Sequence, residues 1–185
     1  MSGTVTMDPG IGYVIVFAMA ALLLSAAGAK WRAVAEFRAV VANYRVLPPP
    51  LTGAAAIALP ALETLVAVLL LVAPARRGAA LGGAVLLLLY AGAISVNLWR
   101  GRRDLDCGCA GPARRRPIAA WMVWRNVVLA AVLVAAGLRW DTRTPTWTDA
   151  LTIVAGVTAL AILYAALDRL LGDVVPRAAA LRGMR

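Results

Sequence analysis

Five apolar segments, each close to the length of a membrane-spanning helix, alternate with basic connections along this sequence. The segments are residues 11–29, 51–73, 78–99, 118–138 and 150–171. A helix needs about 20 mainly apolar residues to cross the hydrocarbon core, because each residue adds about 1.5 Å. Spanning segments fold as helices or closed barrels, and these segments lack the alternation of barrel strands. The sequence therefore predicts an all-α integral membrane protein.

The composition leaves little room for anything besides these spans. Of the 185 residues, 62% are hydrophobic, whereas soluble domains contain about 45–50%. We therefore expect residues 1–185 to form a single membrane domain. The sequence contains no histidine, which excludes His-ligated haem and the usual zinc sites, and no metal is expected.

The basic residues are distributed unevenly between the connections, and this asymmetry predicts the orientation. Fourteen of the 19 Lys and Arg residues lie in the first connection, the third connection and the C-terminal tail. None precedes the first span. The positive-inside rule then predicts that the N-terminus lies outside and the C-terminus inside a multi-pass cell-membrane protein. The net charge of +10 is interpreted as this topology signal, and no nucleic-acid partner is expected.

The first apolar segment has an alternative interpretation as a cleaved signal peptide. Residues 11–24 could serve as its apolar region, and small residues follow at 25–29. A signal peptide carries its positive charge before the apolar region. Here the basic residues follow the segment instead, so we expect a retained span.

Polar residues interrupt three of the predicted spans. They are Glu63 in the second, Asn97 in the third, and Arg125 with Asn126 in the fourth. Ionisable groups inside a membrane are costly, and they usually face the bundle interior in pairs. The depths of Glu63 and Arg125 differ by only about 6 Å along helices of standard rise. A Glu63–Arg125 pair is therefore possible, either to fix helix register or to serve a functional site.

The only two cysteines, Cys107 and Cys109, lie in the third connection, residues 100–117, and are separated by Gly108. Gly108 permits the bend that a disulfide between them would need. So small a ring is strained, and strained disulfides are usually labile or catalytic. Six neighbouring arginines favour the reactive thiolate, whereas Asp104 and Asp106 oppose it. Thiol redox chemistry is the leading hypothesis, with Cu(I) binding and two ordinary loop thiols as alternatives.

Several motifs together resemble the methylamine utilisation protein MauE family, within the wider group of DoxX-like membrane proteins. The Cys107-Gly108-Cys109 stretch in its setting is the most specific of these motifs. The matching stretches cover roughly residues 30–138 and are residues 43–48, 59–63, 90–102, 105–109 and 125–126. One departure is Ala110, where an aromatic residue is expected.

This resemblance implies a fold and a role. The fold would be a DoxX-like four-helix bundle with a fifth transmembrane helix. The role would be redox-associated support for the maturation of methylamine dehydrogenase, an exported disulfide-rich enzyme, together with a thioredoxin-like partner. Cys107 and Cys109 would form the redox pair, with Glu63 and Arg125 in support. The residues expected to shape the adjoining pocket are Asn97, Asn126 and Asp106.

The predicted orientation places the cysteines inside, although the disulfides of exported proteins form outside. Two resolutions are open. The cysteine connection could fold back into the bundle toward Glu63 and Arg125, or electrons could pass to a cytoplasmic thiol or a membrane quinone. The competing functions are a non-catalytic assembly factor or chaperone for a redox partner, and a small-molecule transporter. No internal repeat supports the transporter.

Overall fold

A computed structural model describes residues 8–107, 117–137 and 146–174 of the chain. Within these ranges the protein is helical, apart from short connections and one isolated β-bridge. The helices are α1 (Pro9–Arg32), α2 (Val34–Tyr44), α3 (Leu51–Leu71), α4 (Arg76–Trp99), α5 (Ala120–Ala136) and α6 (Trp147–Arg169). A 3₁₀ turn, Ala73–Ala75, precedes α4, and a π-helical turn, Leu170–Val174, follows α6.

The predicted all-α membrane fold is confirmed. Helices α1, α3, α4 and α6 are long and apolar enough to cross a bilayer. Helix α5 is also apolar but has only 17 residues, which at about 1.5 Å per residue falls slightly short of the hydrocarbon core. Each of the five helices coincides with one of the five predicted spans, within a few residues at each end.

The structure differs from the sequence prediction in the first connection. Helix α1 continues through Lys30 to Arg32, and the separate helix α2 follows at once. Helix α2 packs against α3 and buries Phe37. An 11-residue segment with one buried aromatic residue is too short and too polar to be recognised as a span, so the hydropathy pattern gave no sign of it.

Four helices supply the main core, and α6 lies outside it. The buried cluster contains residues of α1, α3, α4 and α5, including Val16, Leu70, Leu87 and Leu133. No residue of α6 is buried. This helix packs mainly against α1, so the chain forms a four-helix bundle with a fifth spanning helix at its side. Helix α1 contributes Val16, Met19, Ala20 and Leu23 to this core.

The close approach of α4 to α3 and α5 depends on Gly83. A Cβ atom at this position would lie 2.9 Å from the Leu133 Cδ1 atom and 2.9 Å from the Val66 Cγ1 atom. At Gly78, in the same helix, a Cβ atom would meet nothing within 4 Å. Small residues at such crossings allow transmembrane helices to pack closely.

We expect Gly83→Leu to lower the free energy of unfolding by about 1–3 kcal/mol relative to Gly78→Leu, because the larger side chain overpacks the crossing. Both variants replace a glycine of α4 by leucine, so their difference reports mainly on packing at Gly83. Chemical or thermal unfolding in detergent measures it. Equal stability of the two variants would show that the helices do not approach at Gly83.

Candidate active site

A cavity of about 210 Å³ lies between α1, α3, α4, α5 and α6, at the end of the bundle that carries the cysteine connection. Its apolar wall includes Leu22, Leu87 and Leu129. Its polar wall is unusually rich for the interior of a membrane protein. The polar lining residues are Ser25, Lys30, Glu63, Tyr90, Asp106, Cys107, Arg125, Asn126, Tyr164 and Asp168.

Most of the residues singled out from the sequence meet at this cavity. Cys107, Glu63, Arg125, Asn126 and Asp106 all line it. Glu63 lies on α3, Arg125 and Asn126 lie on α5, and the other two lie on the segment after α4, so the fold brings these three parts of the chain together.

Two of the predicted site residues, Cys109 and Asn97, are not among the described residues that line the cavity. Cys109 lies outside the described residues. Asn97 is fully buried but does not line the cavity. Its amide donates to the Ala93 carbonyl at 3.0 Å, and its Oδ1 accepts from Arg102 at 3.0 Å. The expectation that Asn97 shapes the pocket is therefore not met, because its side chain is used to hold the segment after α4.

Glu63 forms a buried ion pair with Lys30 on the cavity wall. The Lys30 Nζ atom lies 2.7 Å from Glu63 Oε1 and 2.8 Å from Oε2. The Tyr90 hydroxyl donates to Oε1 at 2.8 Å. Glu63 is 1% exposed and Lys30 is 3% exposed, so each charge depends on the other for compensation.

Lys30 is one of the cavity residues that the sequence analysis missed, together with Tyr90 and Asp168. It was assigned to the first connection because it follows the apolar segment directly. In the structure its side chain extends between the helices, and the ammonium lies 5.5 Å from the Phe37 ring centre and 5.4 Å from that of Tyr90. The sequence signal for this role was Glu63 itself, because a carboxylate buried in a span requires a cation. Lys30 is the first cation after the first span.

Arg125 has a different acidic partner from the one considered in the sequence. Its Nη1 atom donates to Asp168 Oδ1, near the end of α6, at 3.0 Å. Its guanidinium also lies 5.1 Å from the Trp121 ring centre. The Glu63–Arg125 pair is therefore wrong as a direct contact, although both residues line the same cavity. The Arg125–Asp168 pair joins α6 to α5.

The described residues that line the cavity carry nearly balanced charge. The cations are Lys30 and Arg125, and the carboxylates are Glu63, Asp106 and Asp168. Two of the carboxylates are already paired with the two cations. The cavity can therefore offer hydrogen bonds to a neutral polar group, but these residues hold no excess of positive charge for an anion.

Cys107 is positioned where the chain leaves α4 and returns toward α5. The Ile118 amide donates to the Leu105 carbonyl at 2.9 Å, and Asp106 forms an antiparallel bridge with Pro117. These contacts hold the two ends of the cysteine connection side by side. Cys107 is half-buried and packs against a small cluster formed by Ile94, Ile118 and Met122.

Arginines fix the segment before Cys107 to the rest of the bundle. The Arg102 guanidinium donates to the Tyr44 carbonyl at 3.4 Å as well as to Asn97. The Arg100 guanidinium donates to the Arg45 carbonyl at 3.1 Å. Arg45 has a left-handed backbone, with φ of 49°, and ends α2. The basic third connection thus has a structural use in addition to its topology signal.

This arrangement suits thiol chemistry beside hydrogen-bonding groups. A half-buried sulfur faces a cavity that also contains carboxylates, phenols and an amide, which can accept or donate protons. Across the described ranges, no group of three or more His, Cys, Asp or Glu side chains is arranged to hold a metal ion.

The comparisons with known proteins agree on one family. The family model described as methylamine utilisation protein MauE matches residues 9–140. Methylamine utilization protein MauE of Paracoccus denitrificans is 37% identical over 162 residues, which are 86% of this chain and 87% of the relative. The protein of the same name from Methylophilus methylotrophus is 36% identical, over 89% of this chain and 88% of the relative. No solved structure is significantly similar to this chain.

Proposed function

Because the chain belongs to the MauE family, we propose that it acts in methylamine utilisation as a membrane thiol–disulfide exchange protein. Cys107 and Cys109 are the proposed redox pair, and the clients are exported proteins that need disulfides, methylamine dehydrogenase among them. A thioredoxin-like protein is the proposed partner. The plasma membrane is the proposed location, with the N-terminus outside.

The observation that carries this proposal is the shared cavity of Cys107, Glu63 and Arg125. A structural cysteine would be expected to pack entirely among apolar side chains. Here one side of the Cys107 segment packs on the apolar cluster of Ile94 and Met122, and the other side faces the cavity. A thiol in such a place is accessible to a reactant while its backbone is held still.

The chemistry of the proposed exchange needs only the two sulfurs and a partner disulfide. A thiolate of the pair attacks a partner sulfur, so that a mixed disulfide forms and the second partner sulfur leaves as a thiolate. The remaining cysteine then attacks the mixed disulfide, which closes the Cys107–Cys109 bond and releases the reduced partner. In the reverse direction the same steps oxidise the partner. Arg125, which lines the same cavity as Cys107, would help to balance the charge of the thiolate.

The position of Cys107 also bears on how cysteines predicted on the cytoplasmic side could act on an exported protein. The Cys107 segment returns to the bundle and shares a cavity with Glu63, which is 13 residues into the 21-residue α3. Such a placement supports the first resolution, in which the cysteine connection is reached through the membrane interior. Labelling with membrane-permeant and membrane-impermeant thiol reagents would show from which side of the membrane the cysteines can be reached.

Trapping of the mixed disulfide tests this proposal. In Cys109→Ser the remaining Cys107 can form the mixed disulfide but lacks the second thiol that resolves it. We expect a covalent adduct with a partner protein to accumulate in acid-quenched cells and to disappear on reduction. A non-reducing gel followed by mass spectrometry identifies the partner.

The double variant Cys107→Ser/Cys109→Ser is the matched control, since it keeps the fold but has no thiol. The reciprocal variant Cys107→Ser shows which cysteine makes the first attack. If neither single variant gives an adduct above the level of the double variant, the exchange function is wrong. A non-catalytic assembly factor would give no adduct with either single variant.

A further inference from the structure

We propose that the apolar cleft between α1, α5 and α6 binds the isoprenoid chain of a membrane quinone, whose headgroup enters the cavity at Cys107. The quinone would be the electron acceptor for the cysteine pair. This proposal rests on the proposed function for the electron transfer, but the binding site stands on the geometry of the cleft.

The cleft is large, apolar and continuous with the cavity. Its volume is about 530 Å³. The α1 wall extends from Ile15 to Ser25, which is about 15 Å along the helix at standard rise. Ser25, Leu129 and Tyr164 line both the cleft and the polar cavity, so a single molecule can occupy the two spaces together.

The relation of α6 to α1 explains why the cleft exists. The helices touch where a Cβ atom on Gly156 would lie 3.0 Å from the Val14 Cγ atoms. The cleft-lining residues begin directly after this contact, at Ile15 and Val157. At the other end, Asp168 of α6 is held by Arg125 of α5. The cleft thus lies between the close contact at Gly156 and the end of α6 that borders the cavity.

The cleft is also accessible from the lipid. Leu160 and Leu163 line it but are 42% and 55% exposed. In a membrane this exposure is to hydrocarbon chains, because α6 is apolar and long enough to span the bilayer. A ligand that dissolves in the bilayer can therefore enter sideways.

The charge of the described residues that line the cavity favours a neutral headgroup. Its two cations, Lys30 and Arg125, are paired with Glu63 and Asp168, and Asp106 adds a third carboxylate. A phospholipid phosphate would find no unmatched cation among these residues. A quinone ring is neutral, its carbonyls accept hydrogen bonds, and the hydroxyls of the reduced quinol can donate to carboxylates. An amphiphile with a long apolar chain and a small neutral head fits both spaces.

The atoms and electrons of the redox step balance between the cysteine pair and the quinone. The thiols of Cys107 and Cys109 each lose one hydrogen, and a bond forms between the two sulfurs. Two electrons and two protons pass to the quinone, and its two carbonyls become the hydroxyls of the quinol. The dithiol is oxidised to a disulfide, and the quinone is reduced.

Binding of ubiquinone-2 to the purified full chain in nanodiscs tests the site. We expect Ala161→Trp, on the cleft wall, to weaken binding at least about tenfold by filling the cleft. Ala159→Trp is the matched control, because Ala159 is an exposed alanine of the same helix that does not line the cleft. It should bind ubiquinone-2 as the unaltered chain does. Equal binding by the two variants, or none by the unaltered chain, overturns the proposal.

A second measurement uses the unaltered chain, so that misfolding of a variant cannot decide the result. A photoreactive ubiquinone analogue should crosslink within residues 15–25 and 157–167. Crosslinks elsewhere, or full competition by excess dioleoylphosphatidylcholine, would show that the cleft is a lipid site only and overturn the proposal.

The electron transfer is followed anaerobically with the reduced chain. We expect one quinol for each cysteine pair oxidised, and none with Cys107→Ser. Bound quinone that stays oxidised beside the unaltered dithiol overturns the proposed acceptor. The mixed-disulfide experiment would remain unaffected by that result, so failure of the acceptor is distinguishable from failure of the exchange function.

Discussion

Cys107→Ser is expected to lower the support that this chain gives to growth on methylamine to below about a hundredth of the unaltered level. The hydroxyl of serine is too weakly acidic and too poor a nucleophile to exchange with disulfides. Complementation of a Paracoccus denitrificans strain that lacks its own MauE measures the effect. The amount of protein in the membrane should stay normal, because the substitution is nearly isosteric and Cys107 is only half-buried.

Asp104→Glu is the matched control for this experiment, because it alters the same segment but keeps its charge. Asp104 lies three residues before Cys107 on the same segment, is exposed, and does not line the cavity. It should support growth at the unaltered level. Full growth with Cys107→Ser would contradict the thiol mechanism and favour a non-catalytic assembly factor. Failure of the unaltered chain itself would contradict a role in methylamine utilisation.

Lys30→Met should destabilise the folded protein by about 3–5 kcal/mol, because it leaves the Glu63 carboxylate buried without its cation. The Tyr90 hydroxyl, which donates to Glu63 Oε1 at 2.8 Å, would then be its remaining hydrogen-bond partner. Methionine has nearly the same length as the lysine stem, so little packing is lost. Unfolding of the purified protein in detergent measures the change.

Two further variants separate the charge from other effects of Lys30→Met. Arg32→Met removes one cation from an exposed position on the same helix, and we expect a change within about 0.5 kcal/mol. The double variant Lys30→Met/Glu63→Gln also removes the unpaired charge of Glu63, and it should recover much of the stability. If Lys30→Met is as stable as Arg32→Met, the buried pair is not the stabilising feature that its geometry indicates.

The spans could be predicted because hydropathy reports directly on the cost of placing residues in lipid. Polar residues within the spans were informative for the same reason, and Glu63, Arg125 and Asn126 all line the cavity. Cys107 could be selected from its chemistry. Its meeting with these residues could not be predicted, because it depends on how the connection after α4 folds back onto the bundle.

The partners of the charged residues were not predictable from depth alone. Lys30 was assigned to a connection, yet its long side chain reaches back to Glu63. Asp168 lies near the C-terminal end of α6, and only the packing of α6 beside α1 brings it to Arg125. Asn97 illustrates the opposite error. Its buried amide suggested a site, but it is satisfied by the Ala93 carbonyl and by Arg102.

The redox state of the cysteine pair in living cells tests the central claim most directly. Acid quenching, alkylation, reduction and a second, isotopically distinct alkylation label the pair, which lies in a single tryptic peptide, residues 104–114. Mass spectrometry then gives the fraction that was oxidised. The account predicts that Cys107 and Cys109 are joined as a disulfide in respiring cells and return to the dithiol when respiration is blocked. Two thiols that stay reduced under both conditions would contradict it.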